Sequence, residues 1–182
     1  AARLTSLARA TVVGHPLEEH TELGPLCSEA RMRRVLKYIE LGRREGAKLV
    51  AGGERDVEGH HYAGFYVKPT VFLDAPLESR LVREPIEGPV LVIEPFDDDD
   101  DAVRRAEVGL GRGGALVFGR DQERALALGR RLGVGQLWVN GPLRLHPDLP
   151  HAPAAESGDA ILGCESIFTS AERRTIIFHP RR

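Results

Sequence analysis

Aromatic and sulphur-bearing side chains are scarce in this sequence. Phe, Tyr and Trp make up 5% of 182 residues, and there are only one Trp, one Met and two Cys. So few rings leave aliphatic side chains to fill the core. Cys27 and Cys164 stand far apart and outside any C-x-x-C unit. That spacing indicates neither a zinc site nor a disulfide framework. It fits a reducing, cytoplasmic setting, and both thiols are expected to be packing residues, because unpaired cysteine behaves as a small hydrophobe. Long apolar runs are also missing. The best are short, such as Val90–Ile93, against the ~20 residues a membrane span needs. The opening Ala1-Ala2-Arg3-Leu4 has no apolar signal-peptide core, and the absence of an initial Met suggests processing, trimming or a fragment. Nor is there a basic excess: Lys+Arg 25 against Asp+Glu 27 gives a net charge of −2. Nothing is left over to neutralise a phosphate backbone, so nucleic acid is not an expected partner.

What is present is a chain with 42% hydrophobic and 29% charged residues, suited to one domain of the usual ~100–200 residues. Ser28 to Glu45 reads as a helix. Met32, Val35, Leu36 and Ile39 form one apolar stripe, Ser28 is placed to cap it and Gly46 to stop it. A strand is expected at Lys48–Ala51, then a polar loop at Asp56–Gly64 carrying His60-His61. Phe65–Phe72 alternates like a strand, although Pro69 points to a sheet edge or a broken ladder. Val90–Glu94 is a further strand. A helix through about Glu107, a strand at Ala115–Phe118, a helix at Gln122–Leu132 and a strand at Gln136–Val139 follow. This alternation argues for an α/β fold, a mostly parallel sheet flanked by helices. Residues 141–163 break into an irregular loop, and Thr175–Phe178 returns to a strand.

Three clusters invite a sharper reading. Gly109-Leu110-Gly111-Arg112-Gly113-Gly114 spells G-x-G-x-x-G, but it follows a helix and precedes a strand, the reverse of a dinucleotide fingerprint. It reads as a flexible connection. The run Asp97–Asp101 lacks the alternating ligands, central Gly and distal Glu of a calcium loop; solvated carboxylates capping a helix N-terminus account for it. No metal site is expected. The third cluster lies in the irregular loop: Arg144, His146, Asp148, His151, Glu156 and Asp159. Two imidazoles with carboxylates and an arginine could bind an anion or do acid–base work, but four prolines and solvated loop histidines are the simpler reading. His60-His61 has no acceptor pattern nearby beyond Glu58.

An ordered set of sequence words then places the chain. Val13-Gly14-His15-Pro16-Leu17 and Thr21-Glu22-Leu23-Gly24-Pro25-Leu26 come first, followed by Glu45–Leu49 with Gly52-Gly53. Tyr66–Phe72, Arg83–Val90, Phe96-Asp97-Asp98, Val117–Asp121 and Gly135–Asn140 complete it. From about Ala8 to about Thr175 the chain resembles the later part of the catalytic domain of NAD(P)-dependent aldehyde dehydrogenases. In that family a thiolate attacks the aldehyde, hydride passes to NAD(P)⁺, and a glutamate-activated water releases the acid.

The resemblance implies that the nucleophilic cysteine, the general-base glutamate and the nucleotide-binding half belong ahead of Ala1. It also implies losses within the chain. The family word Glu-Ile-Phe-Gly-Pro, whose carboxylate holds the nicotinamide ribose, here reads Pro85-Ile86-Glu87-Gly88-Pro89. A Tyr-Gly-Leu word has become Gly111-Arg112-Gly113, and a Pro-Phe-Gly-Gly-x-Lys loop is reduced to Pro150 followed by His151-Ala152-Pro153. The expectation is therefore a catalytically inactive structural or assembly element. It would have no catalytic residue, no cofactor of its own, and a homo-oligomer or a larger dehydrogenase-like subunit as partner. The C-terminal strand, 175–179, would pair subunits. The alternative is an enzyme. It would either complete an NAD(P)-dependent site with another polypeptide or use Arg144, His146, His151 and Glu156 for cofactor-free acid–base chemistry.

Overall fold

The computed structural model describes residues 1–109, 113–144 and 175–178. The chain forms two compact units, Ala1–Pro95 and Phe96–Arg182, where the sequence reads as one domain.

In the first unit α1 (Ala2–Ala10) packs beside β1 (Lys48–Ala51) and β2 (Thr70–Leu73), with no residue of its own buried. The main helix, α2 (Glu29–Arg44), ends as its sequence requires. The Ser28 hydroxyl accepts from Arg31 N at 3.2 Å. At the other end Ala47 N donates to Gly42 O and Gly46 N to Arg43 O, with Gly46 at φ 95°. That is the left-handed stop glycine favours, because it has no Cβ to clash. The α2 stripe buries Met32, Val35, Tyr38 and Ile39 against Val67, Phe72 and Leu81. Leu81 lies on α3 (Arg80–Arg83), a short helix, capped by Ser79, that the periodicity did not reveal.

The first sheet runs β1-β2-β3, with β3 at Val90–Ile93. β2 and β3 are parallel, whereas β1 and β2 are antiparallel, since the link between them contains no crossover helix of the kind a parallel pair needs. β2 is central rather than at an edge. Pro69 precedes its first ladder residue, so the missing N–H removes no sheet bond. Upstream of Pro69 the ladder is indeed broken, with only an isolated Arg55–Val67 bridge.

The second unit is parallel throughout its described sheet. β4 (Gly114–Val117), β5 (Gln136–Val139) and β6 (Thr175–Phe178) lie in that order. α5 (Gln122–Arg131) makes the crossover from β4 to β5, and α4 (Asp99–Ala106) lies beside it. β5 is buried along its whole length. The acidic run caps α4 as expected: the Asp98 carboxylate accepts from Asp101 N at 2.8 Å. Solvation is not the whole account. Asp101 is buried and held by Arg104 and Arg105, while Asp99 and Asp100 reach Arg124 and Arg131 of α5. Those arginines keep the Asp99 and Asp101 carboxyls below the usual range, chiefly by hydrogen bonding to Arg124 and Arg105 respectively. The glycine-rich stretch does join α4 to β4, with 110–112 outside the described residues.

Candidate functional site

Pro85 and Glu87 lie on the segment between α3 and β3. Ile86 turns inward onto the core beside α2, leaving both neighbours exposed. Gly88 lies so close to Val35 that an added Cβ would sit 2.5 Å from Cγ2, which explains why the loop keeps its glycine where it lies against α2. Pro85 offers no side-chain acceptor. The Glu87 carboxylate is not free either, because it forms an ion pair with Arg31 of α2. The second acidic group, Glu84, accepts from Arg80 and from the Tyr38 hydroxyl. Those bonds, Arg80 first, lower its carboxyl to about 2. The loop is thus a set of carboxylates each satisfied within its own unit.

Arg144 follows β5 and is exposed; its backbone carbonyl accepts from the Trp138 indole at 3.0 Å. His146, His151 and Glu156 lie outside the described residues, as do Cys164, most of the 141–163 loop and residue 179. Cys27 is exposed, which overturns its expected packing role: it sits just before the Ser28 cap, outside the α2 stripe.

Two features escaped the sequence reading. His61 does have an acceptor. Its Nδ1 lies 2.9 Å from Oδ2 of Asp56, a buried carboxylate, and its ring stacks on Tyr66 at 4.4 Å. The Asp56–Gly64 segment is not simply a loop, since a 3-10 turn at Gly59–Ala63 carries the imidazole back toward Asp56. A cleft of about 350 Å³ opens there, lined by Arg9, Asp56, Glu58, His61 and Lys68 among others. Lys68 is held by Glu54 and Glu58, which raise its pKa by accepting hydrogen bonds from the ammonium. The second feature is Asn140, at the C-terminal end of β5 with φ 53°. Its side-chain oxygen accepts from Gly119 N at 2.8 Å, while its buried Nδ2 has no partner among the described residues. Pairing His61 with Asp56 needs the turn, and orienting Asn140 needs the β4–β5 pairing, so spacing alone signals neither. Among the described residues no group of three or more His, Cys, Asp or Glu is arranged for a metal, and no helix is long and apolar enough to cross a membrane.

Comparison with known proteins agrees with the sequence words. The model of the Aldehyde dehydrogenase family matches residues 1–168. Betaine aldehyde dehydrogenase of Rhizobium etli (strain CIAT 652) is 40% identical over 161 residues, 86% of this chain but 32% of that protein. Among solved structures, HpcC from Thermus thermophilus superposes with a TM-score of 0.84 at 39% identity, covering 89% of this chain and 32% of that one. A mutant of Aldehyde Dehydrogenase C from Pseudomonas syringae, in complex with NAD+ and octanal, gives 0.82 at 39%, covering 90% and 34%. The chain spans about a third of the length of the relatives it matches.

Proposed function

The chain belongs to the aldehyde dehydrogenase family, and from that premise we propose that it is a catalytically silent structural or assembly element of a dehydrogenase-like protein. One observation carries the reading. Where the family resemblance calls for a carboxylate to hold the nicotinamide ribose, Pro85 has none to offer, and Glu87 is tied to Arg31. A ribose diol needs a carboxylate acceptor at the position that faces it; proline has none, and Glu87 stands two residues along the chain with its carboxylate directed to Arg31 of α2. The residues present therefore do not fit NAD(P) at this loop.

The partner in this reading is a second copy or a larger dehydrogenase-like subunit. Support comes from β6, which pairs with β5 on one side and lies at the edge of the described sheet on the other, with Ile176 exposed; such edges invite strand pairing. A reducing, cytoplasmic setting suits the free thiol of Cys27.

The test mixes the purified chain with NAD⁺ and a panel of aldehydes, following NADH absorbance, with NAD⁺ titrated calorimetrically in parallel. Neither turnover nor binding heat is expected. Sustained NADH formation by the chain alone would overturn the proposal. The rival reading, completion of an NAD(P) site on another polypeptide, draws on the retention of the family fold over a third of its relatives' length. It requires NADH formation that appears only when a nucleotide-domain polypeptide is added. The acid–base reading rests on His146, His151 and Glu156, which lie outside the described residues.

A further inference from the structure

A cleft of about 260 Å³ separates α2 from α3, lined by Arg34, Lys37, Tyr38, Leu41, Arg80 and Glu84. Arg34, Lys37, Tyr38 and Leu41 fall at i, i+3, i+4 and i+7, so α2 presents them on one face. The Tyr38 ring forms one wall, and two guanidiniums lie over it. Arg34 Cζ is 5.7 Å and Arg80 Cζ 5.5 Å from its centroid. Cation–π contact of this kind holds a guanidinium while leaving its edge donors open.

The charge in the cleft does not cancel. Arg80 is neutralised by Glu84, which accepts from it through both carboxylate oxygens, and Oε2 also accepts from the Tyr38 hydroxyl. Glu45 accepts from Arg80 N and from Ser79 Oγ at the start of α3. No ion pair reaches Arg34 or Lys37 among the described residues; both are exposed, one helical turn apart. Glu84 also attracts Arg34, yet one carboxylate stands among the three cations Arg34, Lys37 and Arg80, so the lining keeps an excess of positive charge.

We propose that this cleft is a binding site for a small phosphorylated anion, its phosphoryl oxygens taken by Arg34, Lys37 and the open edge of Arg80. A multiply charged tetrahedral group matches the excess of positive charge in the lining, and it can accept from several donors at once, whereas a monocarboxylate offers one planar edge. The site does not depend on the loop chemistry at Pro85 and Glu87, so it stands whether or not the chain is catalytically silent.

Inorganic pyrophosphate is the probe, titrated calorimetrically into the full chain at fixed ionic strength. Saturable one-site binding is expected. It should weaken tenfold or more in Arg34→Gln/Lys37→Gln and by less than twofold in Arg33→Gln/Arg44→Gln, which removes equal charge from α2 outside the cleft. Absence of saturable binding, or equal weakening in both variants, would overturn the proposal. Should the cleft variant lose its circular-dichroism spectrum, the unmodified chain still decides. Pyrophosphate should slow phenylglyoxal modification of Arg34 and Arg80, mapped by peptide mass, relative to Arg33 and Arg44. Uniform protection or none would sink the site.

Discussion

Individual side chains here are arranged so that almost every acidic group near the α2–α3 face has a basic partner, and the consequences can be measured one residue at a time. Glu84 is the clearest case. Its carboxyl, lowered to about 2 from an ordinary 4.5, is charged in the fold wherever the unfolded chain begins to protonate. A depressed carboxyl stabilises the folded state fully above its unfolded pKa, and the effect is lost as pH falls through the folded value. Acid unfolding should therefore be steeper in the wild type than in Glu84→Gln, with the two curves converging as pH drops from about 4.5 toward about 2. Parallel curves, followed by circular dichroism, would contradict the assigned partners. Glu87→Gln tests the Arg31 pair. Both members are partly exposed, with side-chain exposures of 33% and 58%. The expected loss is thus under about 1 kcal/mol in urea unfolding, and a larger one would mean the pair organises the whole loop. Phe72 is fully buried, at 0% exposure. Phe72→Ala should cost ~3–5 kcal/mol by the same measurement, through lost burial and the cavity left behind.

Elements are held by their ends as much as by their stripes. α2 is capped by Ser28 and closed by a Schellman turn at Gly46. Removing the cap in Ser28→Ala should lower stability by ~1 kcal/mol. The helix also needs a gap at Gly42, where an added Cβ would run into the Leu81 side chain of α3. Gly42→Val is therefore expected to destabilise by ~1–3 kcal/mol through overpacking, and Leu81→Ala in the same chain should recover part of that loss. Unchanged thermal midpoints in both variants would show that α3 is not seated on α2. α4 and α5 are joined differently, by the Asp99–Arg124 and Asp100–Arg131 pairs. These pairs are exposed enough that salt should weaken them.

At the scale of the whole molecule the chain is two compact units, each with a three-stranded sheet among its described residues. Its family is that of much longer proteins. Both described sheets end in strands with one unpaired edge, and Leu91, Leu116 and Ile176 on those end strands are exposed. Unpaired strand edges of this kind are able to pair with another chain. Light scattering on the purified chain is expected to give a mass of two or more copies; a monodisperse monomer would count against a self-pairing assembly role and favour a different subunit.

Strands, helices and family were legible in the sequence because each rests on local physics. Lys48–Ala51, Gln136–Val139 and Thr175–Phe178 coincide with strands, and Ser28 and Gly46 with the cap and stop of α2, since side-chain period and capping chemistry act over a few residues. The Pro85 and Glu87 departures were legible too, being matters of identity. What the chain alone could not reveal depends on contacts between distant segments. The antiparallel β1–β2 pairing, the central place of β2 despite Pro69, and α3 with its four residues all follow from how segments pack. The same holds for the site. Arg31 reaches Glu87, Asp56 reaches His61, and Arg34 and Arg80 meet over one tyrosine ring. Charge and residue type were fixed by sequence; which charges cancelled and which remained free was decided only when the fold brought their elements together.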